Sequence, residues 1–163
     1  MDDNIYVLDA TVFLEGGAQK FQDLAKATVY EVLEEVKNNQ SAIELDRLIR
    51  TGLAIIEPEN EFFEEIKKFQ KTTNDKLSNT DMKVLSLALK FKRQKKKPII
   101  VSDDYAIQNM CKLIDINYMT LSKKGITKKY AWVKKCKNCG RKIKGDVCDV
   151  CGDEGKYRPY IRN

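Results

Sequence analysis

The sequence predicts a three-layer α/β/α domain built on a central parallel sheet, followed by a small four-cysteine zinc ribbon. Three observations carry that prediction. Short continuous apolar runs, such as IYVL at 5–8 and PIIV at 98–101, alternate with longer segments of helical period; this is how strands read when crossover helices cover both faces of a sheet. After Leu121 the chain turns into a basic stretch, SKKGITKKYAWVKK, with no core pattern. Beyond it, CKNCG and CDVCG set two C-x2-C pairs eight residues apart, the spacing of a structural metal site. The expected organisation is an α/β domain at 1–122, a basic linker at 123–134, a ribbon at 135–154 and a basic aromatic tail at 155–163.

Each element has its own signal. NIYVL at 4–8 reads as a buried strand ending at Asp9. EVLEEVKN and SAIELDRLIRTG read as helices, the second stopped by Gly52, and LAIIEP at 53–58 as a strand closed by Pro58. NEFFEEIKKFQK is an amphipathic helix, and LSNTDMKVLSLALKFKRQ a longer, more apolar one. KPIIVS, DYAIQNMCKLI and NYMTL follow as strand, helix and strand. No repeats are expected. The charge run KFKRQKKK at 90–97 closes a helix, where cations complement the helix dipole, an RNA contact being the alternative use.

A chain of 163 residues with 42% hydrophobic content suffices for one core and a small appendage. The net charge of +6 is unevenly spread: residues 1–122 carry 17 Lys and Arg against 20 Asp and Glu, whereas 123–163 carry 13 against 4. A basic module on a mildly acidic domain points to a polyanion, most simply nucleic acid. The acidic N-terminus and the lack of an apolar run long enough for a membrane helix predict a soluble, cytoplasmic protein with no membrane partner. Oligomeric state is left open. There is no histidine. That excludes Ser-His-Asp and Cys-His catalysis, HExxH zinc sites and histidine-based RNA transesterification, and leaves hydrolysis to carboxylates and metals.

Cys136, Cys139, Cys148 and Cys151 are the expected ligands of one structural Zn2+, because two intervening residues let a tight turn aim both sulfurs at one tetrahedral ion. Two disulfides are the alternative. Around them Lys134, Lys135, Lys137, Arg141, Lys142 and Lys144 offer phosphate contacts, and Tyr130 and Trp132 offer rings that stack on bases or pack against the protein. Tyr157 and Tyr160 pose the same choice. Cys111 has no such partner and reads as core.

The acidic residues raise the catalytic question. Asp9, Asp103 and Asp104 all fall where predicted strands end, the edge at which open α/β sheets bind ligands. Each could instead cap a helix. Asp81 falls on the apolar side of its helix, and Ser78 with Asp81 makes an S-x-x-D capping box, which is compatible with a metal ligand. In EVLEEVKN, Glu35 flanks the apolar stripe while Glu31 and Glu34 point further out. Glu57 also ends a strand. Three or four convergent carboxylates without histidine suit Mg2+ or Mn2+, which activate water and stabilise a phosphodiester displacement.

VLDATVF, EVLEEVK, LSNTDMKVLSLAL and VSDDYAIQN, in that order, resemble the PIN-domain ribonucleases. With CKNCG…CDVCG behind them, the whole chain looks like the Nob-type endonucleases of ribosome biogenesis in their short archaeal form. The resemblance implies a PIN-like fold at 1–122 and a metal-dependent endoribonuclease that trims the 3′ end of small-subunit rRNA from its precursor, with that RNA and the small ribosomal subunit as partners. By motif it carries Asp9, Glu35, Asp81 and Asp103 into catalysis, with Glu31 and Asp104 as further acids. Thr11 matches a supporting hydroxyl, and Ser102 stands where threonine is common. The segment between Phe13 and Tyr30 matches nothing. Two other readings remain: a toxin-type PIN ribonuclease, which a zinc ribbon disfavours, and an RNA-binding assembly factor whose acids only cap helices. Within the Asp103–Asp104 pair, successive side chains diverge, so Asp103 is expected on the metal, with Asp104 a second ligand, an outer group or a cap.

Overall fold

The computed structural model describes residues 3–37, 39–73, 75–121 and 129–162, with backbone alone at 39, 40, 129–132 and 157–162. Five parallel strands form the sheet, in the order β3-β2-β1-β4-β5. These are β1 (Asn4–Leu8), β2 (Lys26–Thr28), β3 (Ala54–Ile55), β4 (Lys97–Val101) and β5 (Asn117–Met119). Helices α1 (Ala10–Leu14), α2 (Tyr30–Glu35), α3 (Asn39–Arg50), α4 (Asn60–Thr73), α5 (Asn79–Arg93) and α6 (Tyr105–Leu113) connect and cover them. β1 pairs along its whole length with β4, from Asn4 opposite Lys97 to Leu8 opposite Val101. The segments following these two strands, Asp9 and Ser102 to Asp104, therefore emerge side by side.

The core is continuous through the sheet. Val7, Leu8, Ile100 and Val101 are fully buried, as are Val84, Leu85, Leu87 and Ala88 of α5. No helix among the described residues is long and apolar enough to cross a membrane. Cys111 is buried in this core, and burial pushes its thiol well above the usual range.

Four features depart from the sequence-based expectation. A fifth strand, β2, lies in the unmatched segment, with α1 and a 3-10 helix at Ala18–Phe21 before it. Three residues show no period, and β2 begins with a lysine. Lys26 is nevertheless buried, because its Nζ donates to the carbonyls of Gln22 (2.8 Å), Leu24 (3.3 Å) and Thr51 (2.8 Å). Second, β3 keeps only two of the six residues of LAIIEP. It is an edge strand with Ile55 exposed. Third, the basic run at 90–97 closes α5 as expected, but three of its six cations are also engaged within the domain: Lys90 pairs with Glu59, Arg93 with Glu65, and Lys92 Nζ donates to the carbonyls of Ile114 and Asp115 beyond α6.

The fourth departure concerns the ribbon. Residues expected as linker and tail supply two antiparallel strands, β6 (Lys129–Cys136) and β7 (Gly155–Arg162). The two cysteine knuckles between them form an internal repeat offset by twelve residues, where none was expected. Cys136 N donates to Arg141 O as Cys148 N donates to Asp153 O, both at 2.8 Å. Gly140 N returns to Cys136 O as Gly152 N returns to Cys148 O. Both glycines adopt a left-handed φ, 74° and 72°, which lets each turn close. Residues 122–128, the last of the expected α/β domain and the first half of the expected linker, lie outside the described residues.

Candidate active site and metal centre

The active-site candidate forms where β1 and β4 end. Asp9 follows β1 directly, and its amide donates to Val101 O at 3.1 Å, locking it against the end of β4. Its carboxylate is buried. Oδ2 accepts from Ser102 Oγ at 2.8 Å and, at 3.5 Å, from Thr11 Oγ1. Burial pushes Asp9 up to about 6, the Ser102 hydrogen bond opposes this, and the charges of Asp81 and Asp104 add to the rise. Asp9, Asp81 and Asp104 thus act on one another electrostatically.

Asp81 arrives from the start of α5 through the predicted capping box. Its Oδ2 accepts from Ser78 N at 2.9 Å, and its own amide donates to Ser78 Oγ at 3.1 Å. Burial raises its pKa first, partly offset by the Ser78 amide, and the charges of Asp104 and Glu35 raise it further. Glu35, on the exposed last turn of α2, is therefore part of the same field.

The paired aspartates diverge, each with its own partners. The charge of Asp104 reaches both Asp9 and Asp81. It also caps α6, with Oδ1 accepting from Ala106 N at 2.8 Å, so one oxygen serves the helix. Asp103 is buried, and its Oδ1 accepts the Leu121 amide at 2.8 Å, fastening the chain beyond β5. Its amide contacts Thr11 Oγ1 at 3.4 Å. Thr11 and Ser102 therefore touch both sides of the site, with Ser102 Oγ also accepting from Asp104 N at 3.1 Å.

The remaining acids go elsewhere. Glu57 and Glu31 both face Lys83, the first in direct contact and the second at 4.0 Å. Two positioning residues escaped the pattern. Gln108 is fully buried and donates to Ser102 O at 2.9 Å; Asn109 donates to the buried Asp75 at 2.8 Å, holding the loop that leads to α5. Their signal was present: adjacent polar residues in the middle of IQNMC, a segment otherwise apolar, have to find partners.

The four cysteine sulfurs lie within 4.8 Å of one another, and Cys139 Sγ is 3.7 Å from Cys148 Sγ. Tetrahedral thiolates around Zn2+ at ~2.3 Å stand about 3.8 Å apart, whereas a disulfide needs ~2.05 Å. The knuckle amides of Cys151 and Val150 hold the Cys148 thiol down, to about 7, while Cys139 pushes Cys151 up. Four thiolates this close need a cation to offset their charge. The donor set fits a closed zinc site. The carboxylates make no comparably tight group among the described residues. Their oxygen donors are of the type Mg2+ takes, an ion that keeps several waters and few direct protein oxygens. The basic side chains of Lys134, Lys135, Lys137, Arg141, Lys142 and Lys144 surround the first knuckle. Tyr130 and Trp132 fall among residues whose side chains are outside the described ones.

Fold and site together define a PIN-type nuclease domain joined to a four-cysteine ribbon, and comparison with known proteins agrees. A family model described as the PIN domain of ribonuclease matches residues 6–91. Endoribonuclease Nob1 of Pyrococcus abyssi is 35% identical over 160 residues, covering 94% of this chain and 92% of its own length. Endoribonuclease Nob1 of Archaeoglobus fulgidus is 33% identical over 156 residues, 94% and 90% of the two chains. Ribonuclease VapC1 of Thermoplasma acidophilum is 30% identical over 157 residues, 93% of this chain and 77% of its own. The chain belongs to the PIN-domain ribonucleases, within them to the Nob1 endoribonuclease family.

Proposed function

We propose that this protein is a metal-dependent endoribonuclease that cleaves precursor small-subunit rRNA at its 3′ end, working on the small ribosomal particle, with one structural Zn2+ in the ribbon. The observation that carries the reading is the mutual electrostatic influence of Asp9 and Asp104, beyond β1 and β4, with Asp81 and Glu35, in a chain that aligns with Nob1 endoribonucleases through both of its parts. Asp9, Asp81 and Asp104 are the residues that would hold Mg2+ or Mn2+. A bound ion of this kind supplies an activated water and offsets charge gathering on the phosphate oxygens.

The chain's own groups do the rest. Ser102 and Thr11 keep Asp9 oriented, and the Ser78 amide keeps Asp81 oriented, so both carboxylates would meet a metal ion without rearranging. Glu35, whose charge acts on Asp81, orients the attacking water and accepts its proton as the new P–O bond forms; the bond to the 3′ oxygen breaks and that oxygen takes a proton from solvent, leaving 5′-phosphate and 3′-hydroxyl ends. Asp103, buried next to Thr11, fastens the chain beyond β5 through the Leu121 amide. The lysines and Arg141 of the first knuckle neutralise RNA phosphates.

A second reading is favoured by the match to Ribonuclease VapC1, whose 157 aligned residues reach through the cysteine segment. The extent of the alignment alone therefore does not separate the two. One experiment does: incubate purified protein with precursor particles and with total cellular RNA in Mn2+, then map the ends. A single cut at the mature 3′ end of the small-subunit rRNA, absent with Asp9→Asn, is expected. Cuts spread over many cellular RNAs would transfer the assignment to the toxin type, and activity retained by Asp9→Asn would remove Asp9 from the site.

A further inference from the structure

The twelve-residue repeat of the ribbon provides an internal control. Its two knuckles share backbone geometry, hydrogen bonds and metal ligands, yet their surfaces are opposite in charge. Lys134 corresponds to Asp146, Lys137 to Asp149, Arg141 to Asp153 and Lys142 to Glu154. All four acids of residues 123–163 lie in the second knuckle. Two of them tie the knuckles together, Asp146 to Lys134 at 2.9 Å and Glu154 to Lys137 at 3.2 Å. Among the described residues, the side chains of Asp149 and Asp153 enter no ion pair.

The apolar residues are as informative. Val147 and Val150 are 53% and 64% exposed, while Lys135 and Asn138 hold the equivalent places in the first knuckle. The same turn therefore forms without an apolar side chain at either position, and folding of the knuckle does not explain these valines. An exposed apolar pair rimmed by charge marks a contact surface. Phosphate is not its partner, because carboxylates repel it.

We propose that the second knuckle, residues 146–154, docks a protein: a lysine- and arginine-rich surface with an apolar seat for Val147 and Val150. Charge complementarity selects a basic partner. Proteins that coat RNA are basic for the same polyelectrolyte reason that the first knuckle is, so the ribbon grips RNA on one side and an RNA-bound protein on the other. This inference rests on the proposed ribosomal particle as substrate.

The test compares two targets: precursor small-subunit particles, and RNA extracted free of protein from the same particles. Affinities are measured for the full chain, for Val147→Ser with Val150→Ser, for Asp149→Lys with Asp153→Lys, and for Lys137→Glu with Arg141→Glu. Both second-knuckle variants are expected to bind particles about tenfold more weakly, the weight of one lost anchoring contact. On extracted RNA the valine variant should match the unaltered chain, the lysine variant should bind as well or better, and the first-knuckle variant should lose affinity for both targets. One zinc per chain, retained in each variant, shows the ribbon intact; single Val150→Ser replaces a double variant that loses it. Particle affinity unchanged by the valine substitutions, or an equal loss on extracted RNA, would overturn the docking surface. Failure of the unaltered chain to bind either target would instead overturn the functional reading beneath it.

Discussion

Ser102 Oγ donates to Asp9 Oδ2 at 2.8 Å, joining residues 93 positions apart in the chain. The same oxygen accepts from Asp104 N, and the Ser102 carbonyl is held by Gln108. One small hydroxyl thus links the ends of β1 and β4 and keeps Asp9 more acidic than burial alone would leave it. In Ser102→Ala that support is lost. A hydrogen bond to a charged group is worth ~1.5–3 kcal/mol, or about one to two pH units. The acid limb of the cleavage profile should move up by about one unit, while Ser102→Thr keeps the original profile. A Ser102→Ala profile superimposable on the unaltered one would separate this hydroxyl from the chemistry.

Asp9 also sets a pH dependence of stability. Its folded pKa of about 6 lies above the usual 3.8. Below about 4 it is protonated in folded and unfolded chains alike and costs nothing. Between about 4 and 6 only the folded form keeps the proton, so its contribution to stability falls as pH rises, and the penalty is complete above about 6. Metal-free Asp9→Asn should therefore be more stable at pH 7 than the unaltered chain by about 3 kcal/mol, with most of that difference gone at pH 4. Urea unfolding at the two pH values measures this. Mn2+ should stabilise the unaltered chain and leave the variant unchanged.

The paired aspartates should separate in mutants. Asp104→Asn keeps the α6 cap, since Asn and Asp cap equally well, and is expected to lose most cleavage with little change in thermal midpoint. Asp103→Ala removes the acceptor of the Leu121 amide and should cost about 1–3 kcal/mol of stability. Cleavage and unfolding measured on both would reverse the roles if Asp104→Asn stayed active.

Zinc removal should divide the chain. Chelation is expected to release one zinc and unfold the ribbon, whose small size leaves the metal as its main support, while the five-stranded domain keeps its cooperative transition. Cys148→Ser should do the same. Cleavage of short model RNA should survive, and affinity for precursor particles should fall. Loss of the main transition together with the zinc would show that the two parts do not fold independently.

What could be read from the sequence was what neighbours along the chain decide. The C-x2-C spacing brings two sulfurs together within one turn, and the S-x-x-D box at Ser78 and Asp81 closes within one helical turn. Apolar runs flanked by helical periods identified β1, β4 and β5, and with them the acids at their ends, because burial on both faces of a sheet forces that pattern. Tertiary structure decided what depends on distant partners. That Asp103 holds the Leu121 amide while Asp104 caps α6 depends on a segment arriving from beyond β5. β2 exists because three carbonyls, one of them Thr51 on another segment, satisfy a lysine that reads as surface. Asp9 sits beside Ser102 because β1 pairs with β4, a register fixed by burial and ladder hydrogen bonds across the sheet, which no local spacing encodes.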